Sequence, residues 1–135
     1  MFASADRQSE HHVSRIRAAI IALVFALPTG AWAETLLLMA EEDGCFWCER
    51  WNDEIAEIYP KTAEGKAAPL RRYDLHGPVP ADVTLTSSVR FSPTFLLIRD
   101  GIEVERLEGY PGEDFFWGLL ALMLARAGVA TDETG

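Results

Sequence analysis

Cys45-Phe46-Trp47-Cys48 holds the only two cysteines of the chain, two residues apart. An apolar run, Thr35 to Ala40, comes just before it and reads as a buried strand. A run from Glu49 to Tyr59 comes just after it and reads as a helix. The chain must therefore pass from strand to helix in a few residues and place both thiols on the first helical turn. At that position the aligned peptide dipoles favour a thiolate, the form that performs thiol–disulfide exchange. Cys45, next to the flexible Gly44, is the expected nucleophile. Cys48 lies one turn in, in line with Trp51 and Ile55, and is the expected resolving thiol, the more buried of the two.

The residues ahead of the strand bear on how the cysteines are read. Arg15 and Arg17 precede an unbroken apolar run, Ala18 to Leu27. Pro28-Thr29-Gly30 interrupts it, and Ala31-Trp32-Ala33 supplies a small-x-small cleavage pattern before Glu34. The run is too short for the ~20 residues that span a bilayer as a helix. Residues 1–33 are therefore expected to be a signal peptide that exports the chain to the periplasm. The leader carries Arg7, Arg15 and Arg17 against Asp6 and Glu10, so its removal moves the formal net charge from −9 to −10. So acidic a surface argues against nucleic acid and anionic membrane as partners. In an oxidising compartment two cysteines usually mean a structural bridge. A bridge over two intervening residues restricts little unfolded chain, so a redox centre is the better reading.

The mature chain predicts strand, helix, strand, an ill-defined stretch, then a β-hairpin and a final helix. Cys48, Trp51, Ile55 and Ile58 recur on one helical face, toward a core. Lys61 to Ala68 reads as a polar connection, and Pro69 to Leu75 as a second strand. Residues 81–92 carry no clear period, and a short irregular helix is the expectation there. Phe95 to Ile98 and Ile102 to Leu107 form strands about an Asp100-Gly101 turn. Glu113 and Asp114 open the last helix, whose stripe is Phe116, Leu119, Leu120, Met123 and Leu124. The order gives an α/β sandwich with a mixed central sheet. The expected organisation is a single domain over residues 34–128 and a flexible tail over 129–135.

Outside the cysteine pair, Pro93 is the most informative residue. It stands in Ser92-Pro93-Thr94, directly before a strand, an unusual place for proline. Spacing leaves its peptide bond open between cis and trans. Phe46 and Trp47 read either as surface residues that contact partners beside the reactive sulfur, or as partly packed against the Glu41–Gly44 loop. Trp51 and Trp117 read as core. His76 is the only histidine after the leader and reads as a loop residue. Glu41, Glu42 and Asp43 read as a solvated loop whose charge opposes the helix dipole at Cys45. Structural zinc wants four ligands, and two thiolates with one histidine fall short. No metal site and no cofactor are expected.

Taken together, the pattern resembles the thioredoxin superfamily. It rests on Cys45-Phe46-Trp47-Cys48, Ser92-Pro93-Thr94-Phe95, Gly101 in the hairpin and Gly109-Tyr110 before the last helix. More narrowly it resembles the small periplasmic thioredoxins of bacterial sulfur-oxidation (Sox) gene clusters, the SoxS type. Gly44 to Trp51, Ala68-Pro69-Leu70-Arg71-Arg72 and Leu107 to Trp117 carry that likeness. The resemblance implies a thioredoxin-like three-layer α/β/α sandwich and a cis Pro93 that faces the disulfide. It implies that Cys45, Cys48 and Pro93 form the catalytic set, with Phe46, Trp47, Ser92 and Thr94 at the partner-binding surface. The implied activity is reduction of a dedicated partner, such as a sulfur-carrier protein of the Sox system. Its disulfide or sulfur adduct would be the substrate, a membrane dithiol donor would restore the thiols, and the protein would act as a monomer. Gly44 stands where ordinary thioredoxins have tryptophan, and Met39 where they keep a buried acid, which favours a dedicated partner. The alternatives are a disulfide oxidase or isomerase, and a non-catalytic module binding copper(I) through its thiolates.

Overall fold

The structure, a computed structural model, describes residues 33–132. The leader expected over residues 1–33 lies outside that range except for Ala33. Strand β1, Thr35–Glu41, is the centre of the fold. Leu37, Leu38, Met39 and Ala40 are all fully buried, so both faces of the strand are covered. This is why its sequence is an unbroken apolar run, where a half-exposed strand would alternate. β2, Leu70–Asp74, lies parallel to β1, with Met39 opposite Arg72. β3, Thr94–Arg99, lies antiparallel on the other side, with Met39 opposite Phe95. β4, Ile102–Glu108, closes the hairpin, and the order across the sheet is β2-β1-β3-β4. Asp100 and Gly101 both take positive φ in the turn.

One face of the sheet carries the helices. α1, Phe46–Trp51, runs into a π-helical turn, Asn52–Ala56, and then a 3-10 turn, Tyr59–Lys61. A short helix, α2, covers Ala63–Ala67, and α3 covers Glu113–Arg126. Trp51, Ile55, Tyr59, Phe116, Leu120, Met123 and Leu124 pack here with Leu37, Met39, Phe95, Leu97 and both cysteines. Phe116 is the hub, with ring centres 5.0 Å from Phe95, 5.4 Å from Trp117, 5.8 Å from Trp51 and 6.0 Å from Tyr110. Trp117 is half-buried and stacks on Tyr59. Val129, beyond α3, still packs against this core and donates its N–H to the Leu124 carbonyl.

Three expectations need correction. Ile58 is 40% exposed, and Tyr59 is buried in its place. The π turn holds an additional residue, so the inward position arrives one residue late. The stretch 61–68 is more than a connection: Thr62 caps α2 by accepting from the Gly65 N–H. Gly65 then lies so close to Tyr59 that a Cβ there would sit 1.8 Å from the Tyr59 oxygen. Residues 81–92 contain no helix; the chain runs irregularly across the second face of the sheet. Val83, Leu85 and Val89 cover Leu38, Leu96 and Ile98 there. Polar ties hold this segment down. Thr84 bridges to Ile102, Glu103 accepts from the Thr86 N–H, and Arg106 donates to the carbonyls of Ser87 and Ser88.

Candidate active site

β1 ends at Glu41, and Gly44 makes the turn into α1 with φ +73°. Cys45 is the helix N-cap, and its extended backbone points its side chain back over the first turn. Cys45 and Cys48 form a disulfide, and Cys45 Sγ accepts the Cys48 N–H at 3.1 Å. The Cys45 sulfur thus occupies the place of a capping side-chain oxygen. Cys48 is the more buried residue, at 3% exposure against 9% for Cys45. Phe46 and Trp47 stand at the surface, 63% and 48% exposed, with their rings edge to face. The guanidinium of Arg50 lies over Trp47 and pairs with Glu54. Glu54 in turn accepts from the Tyr110 hydroxyl at 2.6 Å. That hydrogen bond, then the one from Arg50, holds the Glu54 carboxyl below its usual range.

An open groove of about 470 Å³ runs beside the disulfide, lined by Cys45, Cys48, Glu41, Asn52 and Arg72 among others. Arg72 bonds Glu41 and Asn52, each at 2.7 Å, and its guanidinium lies 5.4 Å from the Trp51 ring centre. Met39 sits fully buried in the cluster that contains both cysteines. The nearest carboxylate on that face of β1 is Glu41, two residues on, and it is bound to Arg72.

The Ser92–Pro93 peptide bond is cis, and Pro93 is buried. The Pro93 carbonyl accepts the Gly109 N–H at 2.7 Å. Ser92 is half-buried and donates its hydroxyl to Glu42. The side chain of Thr94 is turned inward: it is fully buried and its hydroxyl donates to the Phe91 carbonyl. Of the four residues expected at the partner surface, Phe46 and Trp47 are exposed, Ser92 is partly so and Thr94 is not.

Sequence reasoning missed the contacts of Glu42, Arg72 and the Glu54–Tyr110 pair. Ser92 is 50 positions from Glu42, and Tyr110 is 56 from Glu54. No local period reports such pairs, and an acidic run looks the same whether solvated or bonded.

A dithiol pair at the start of a helix, fed by the central strand of a mixed sheet, defines a thiol–disulfide oxidoreductase of the thioredoxin kind. No protein-family model and no curated protein matches the chain. Among solved structures it is similar to the crystal structure of the periplasmic thioredoxin SoxS from Paracoccus pantotrophus in its reduced form. The two are 50% identical, with a TM-score of 0.69, over 70% of this chain and 99% of the other. The chain belongs to the SoxS-like branch of the thioredoxin superfamily.

Proposed function

We propose that the protein is an exported, periplasmic reductant whose Cys45 thiolate attacks a disulfide or sulfur adduct on a dedicated partner. The sulfur of Cys45 bonds to the partner's sulfur, and the displaced sulfur leaves with the electron pair. The Cys48 thiolate then attacks the Cys45 sulfur, the partner leaves as its thiolate, and the Cys45–Cys48 disulfide remains. Two electrons have moved from the dithiol to the partner. A membrane dithiol donor returns them.

The observation that carries this reading is the unequal setting of the two sulfurs. Cys45 is at the helix N-cap beside exposed Phe46 and Trp47, while Cys48 lies deeper, against Trp51. A partner reaches the first more readily than the second. Phe46 and Trp47 supply exposed apolar contact area, and Ser92 is tied to Glu42, which lines the groove beside Cys45. The partner suggested by the similarity is a sulfur-carrier protein of a sulfur-oxidation system.

The test uses such a carrier with its cysteine blocked by a sulfur adduct. Mixing it with the reduced protein should release the adduct and leave the Cys45–Cys48 disulfide, both visible by intact-mass spectrometry. A carrier that keeps its adduct while the protein still reduces insulin disulfides would rule out this partner.

A further inference from the structure

Glu42 gathers three loops at one end of the sheet. It follows β1, and its Oε1 accepts the Ser92 hydroxyl, in the segment that enters β3. Its Oε2 lies 2.6 Å from Nε2 of His76, in the loop that leaves β2. Its backbone carbonyl accepts the Cys45 N–H at 3.4 Å. The carboxylate is about one-third exposed. The hydrogen bond from Ser92, then that from His76, holds its carboxyl below the usual range, so it is an ionised acceptor at neutral pH. The residue that carries the reactive sulfur and the segment that enters β3 are therefore both tied to Glu42, one through its backbone and the other through its side chain.

That arrangement matters because sulfur–sulfur displacement needs alignment. A misplacement of about 1 Å can cost on the order of a hundredfold in rate. The groove beside Cys45 is open; Glu42 lines it, and its carboxylate is the group that joins Ser92 to the loop carrying Cys45. We propose that Glu42 is a positioning residue for exchange. It holds Ser92 and the segment leading to Pro93 at a fixed separation from Cys45, so that a partner chain entering there meets the Cys45 sulfur in line. This rests on the reading of Cys45 as the attacking thiol.

Glu42 could instead act only through its negative charge near the thiol, and the test separates the two. Initial rates of insulin disulfide reduction, with dithiothreitol regenerating the dithiol, are measured for wild type, Glu42→Gln, Glu42→Ala, Ser92→Ala and the Glu42→Ala/Ser92→Ala double variant. The Cys45 thiolate absorbance is titrated in each. Glu42→Gln keeps an acceptor and loses the charge. Glu42→Ala and Ser92→Ala should each lower kcat for insulin reduction by about tenfold, the scale of one hydrogen bond to a charged group, with KM within about twofold. The double variant should be no worse than the poorer single one, because both remove the same tie. Glu42→Gln should keep kcat near wild type while shifting the thiolate titration to lower pH as far as Glu42→Ala does. Multiplicative effects in the double variant, or a Glu42→Gln kcat as low as that of Glu42→Ala, would overturn the proposal. A wild type whose reduced dithiol exchanges with neither insulin nor a small aromatic disulfide would remove the exchange reading and the proposal with it. Unfolding midpoints of each variant identify any that fail to fold, and Glu42→Gln, which preserves the contact, keeps the comparison decisive.

Discussion

Phe115 and Phe116 are neighbours in sequence with opposite surroundings, and replacing each by alanine tests how the redox helix is seated. Phe116 is fully buried and its ring meets four aromatic partners within 6.0 Å, among them Trp51, which lies one turn beyond Cys48. Removing a buried phenyl ring from a core of this kind costs about 3–5 kcal/mol, the aromatic pair energies included. A domain of this size holds about 5–15 kcal/mol in total, so the Phe116→Ala protein should fold but with little reserve. Its melting temperature should fall by on the order of 20 °C. Phe115 is 70% exposed, so Phe115→Ala should change stability by less than about 0.5 kcal/mol. Guanidinium unfolding of the oxidised proteins, followed by far-ultraviolet circular dichroism, measures both. A Phe116→Ala loss below about 1.5 kcal/mol, or a larger loss for Phe115→Ala, would refute the placement of α3 over the redox helix.

Three further outcomes follow from particular contacts. Gly65→Ala should destabilise by about 2–3 kcal/mol in the same assay, because the added methyl meets the Tyr59 carbonyl backbone, which has no free rotamer to move away. Glu103 is buried; burial pushes its carboxyl up, but hydrogen bonds from Arg106 and Thr86 outweigh this and hold it below 4.5. Its contribution is therefore present above that value and lost as pH falls through the folded pKa. Glu103→Gln should cost about 2 kcal/mol at neutral pH, and the gap to wild type should narrow as the medium is acidified below about 4.5. Finally, N-terminal sequencing of the exported protein should begin at Glu34, and an intact leader on membrane-bound protein would contradict that.

The strands, the hairpin and the last helix were legible because their signals are local. β1 is apolar from Leu36 to Ala40 since both faces of its centre are covered, and Phe116, Leu120, Met123 and Leu124 keep helical spacing against the sheet. Leu119 in the same stripe is only half-buried, at the margin of that face. What escaped the sequence is set by contacts across the fold. The π turn after Trp51 hands the inward position from Ile58 to Tyr59, and nothing in the run Asn52 to Ala56 announces it. The irregular chain over 81–92 stays down through Arg106 and Glu103, residues of β4 far along the sequence. In the site, Cys45 and Cys48 announced themselves by spacing. Glu42 did not, since its partners Ser92 and His76 arrive from separate loops and its two neighbours, Glu41 and Asp43, are equally acidic.

The order of attack is the centre of the account, and covalent trapping measures it directly. Cys48→Ser and Cys45→Ser proteins are each reduced, mixed with a disulfide-bonded protein substrate, quenched with acid and analysed by non-reducing gel and intact-mass spectrometry. The Cys48→Ser protein should accumulate a mixed disulfide through Cys45, because the thiol that would release it is gone. The Cys45→Ser protein should remain free. Accumulation on Cys48 in the Cys45→Ser protein, with none in its counterpart, would contradict the assignment of the outer sulfur as the nucleophile.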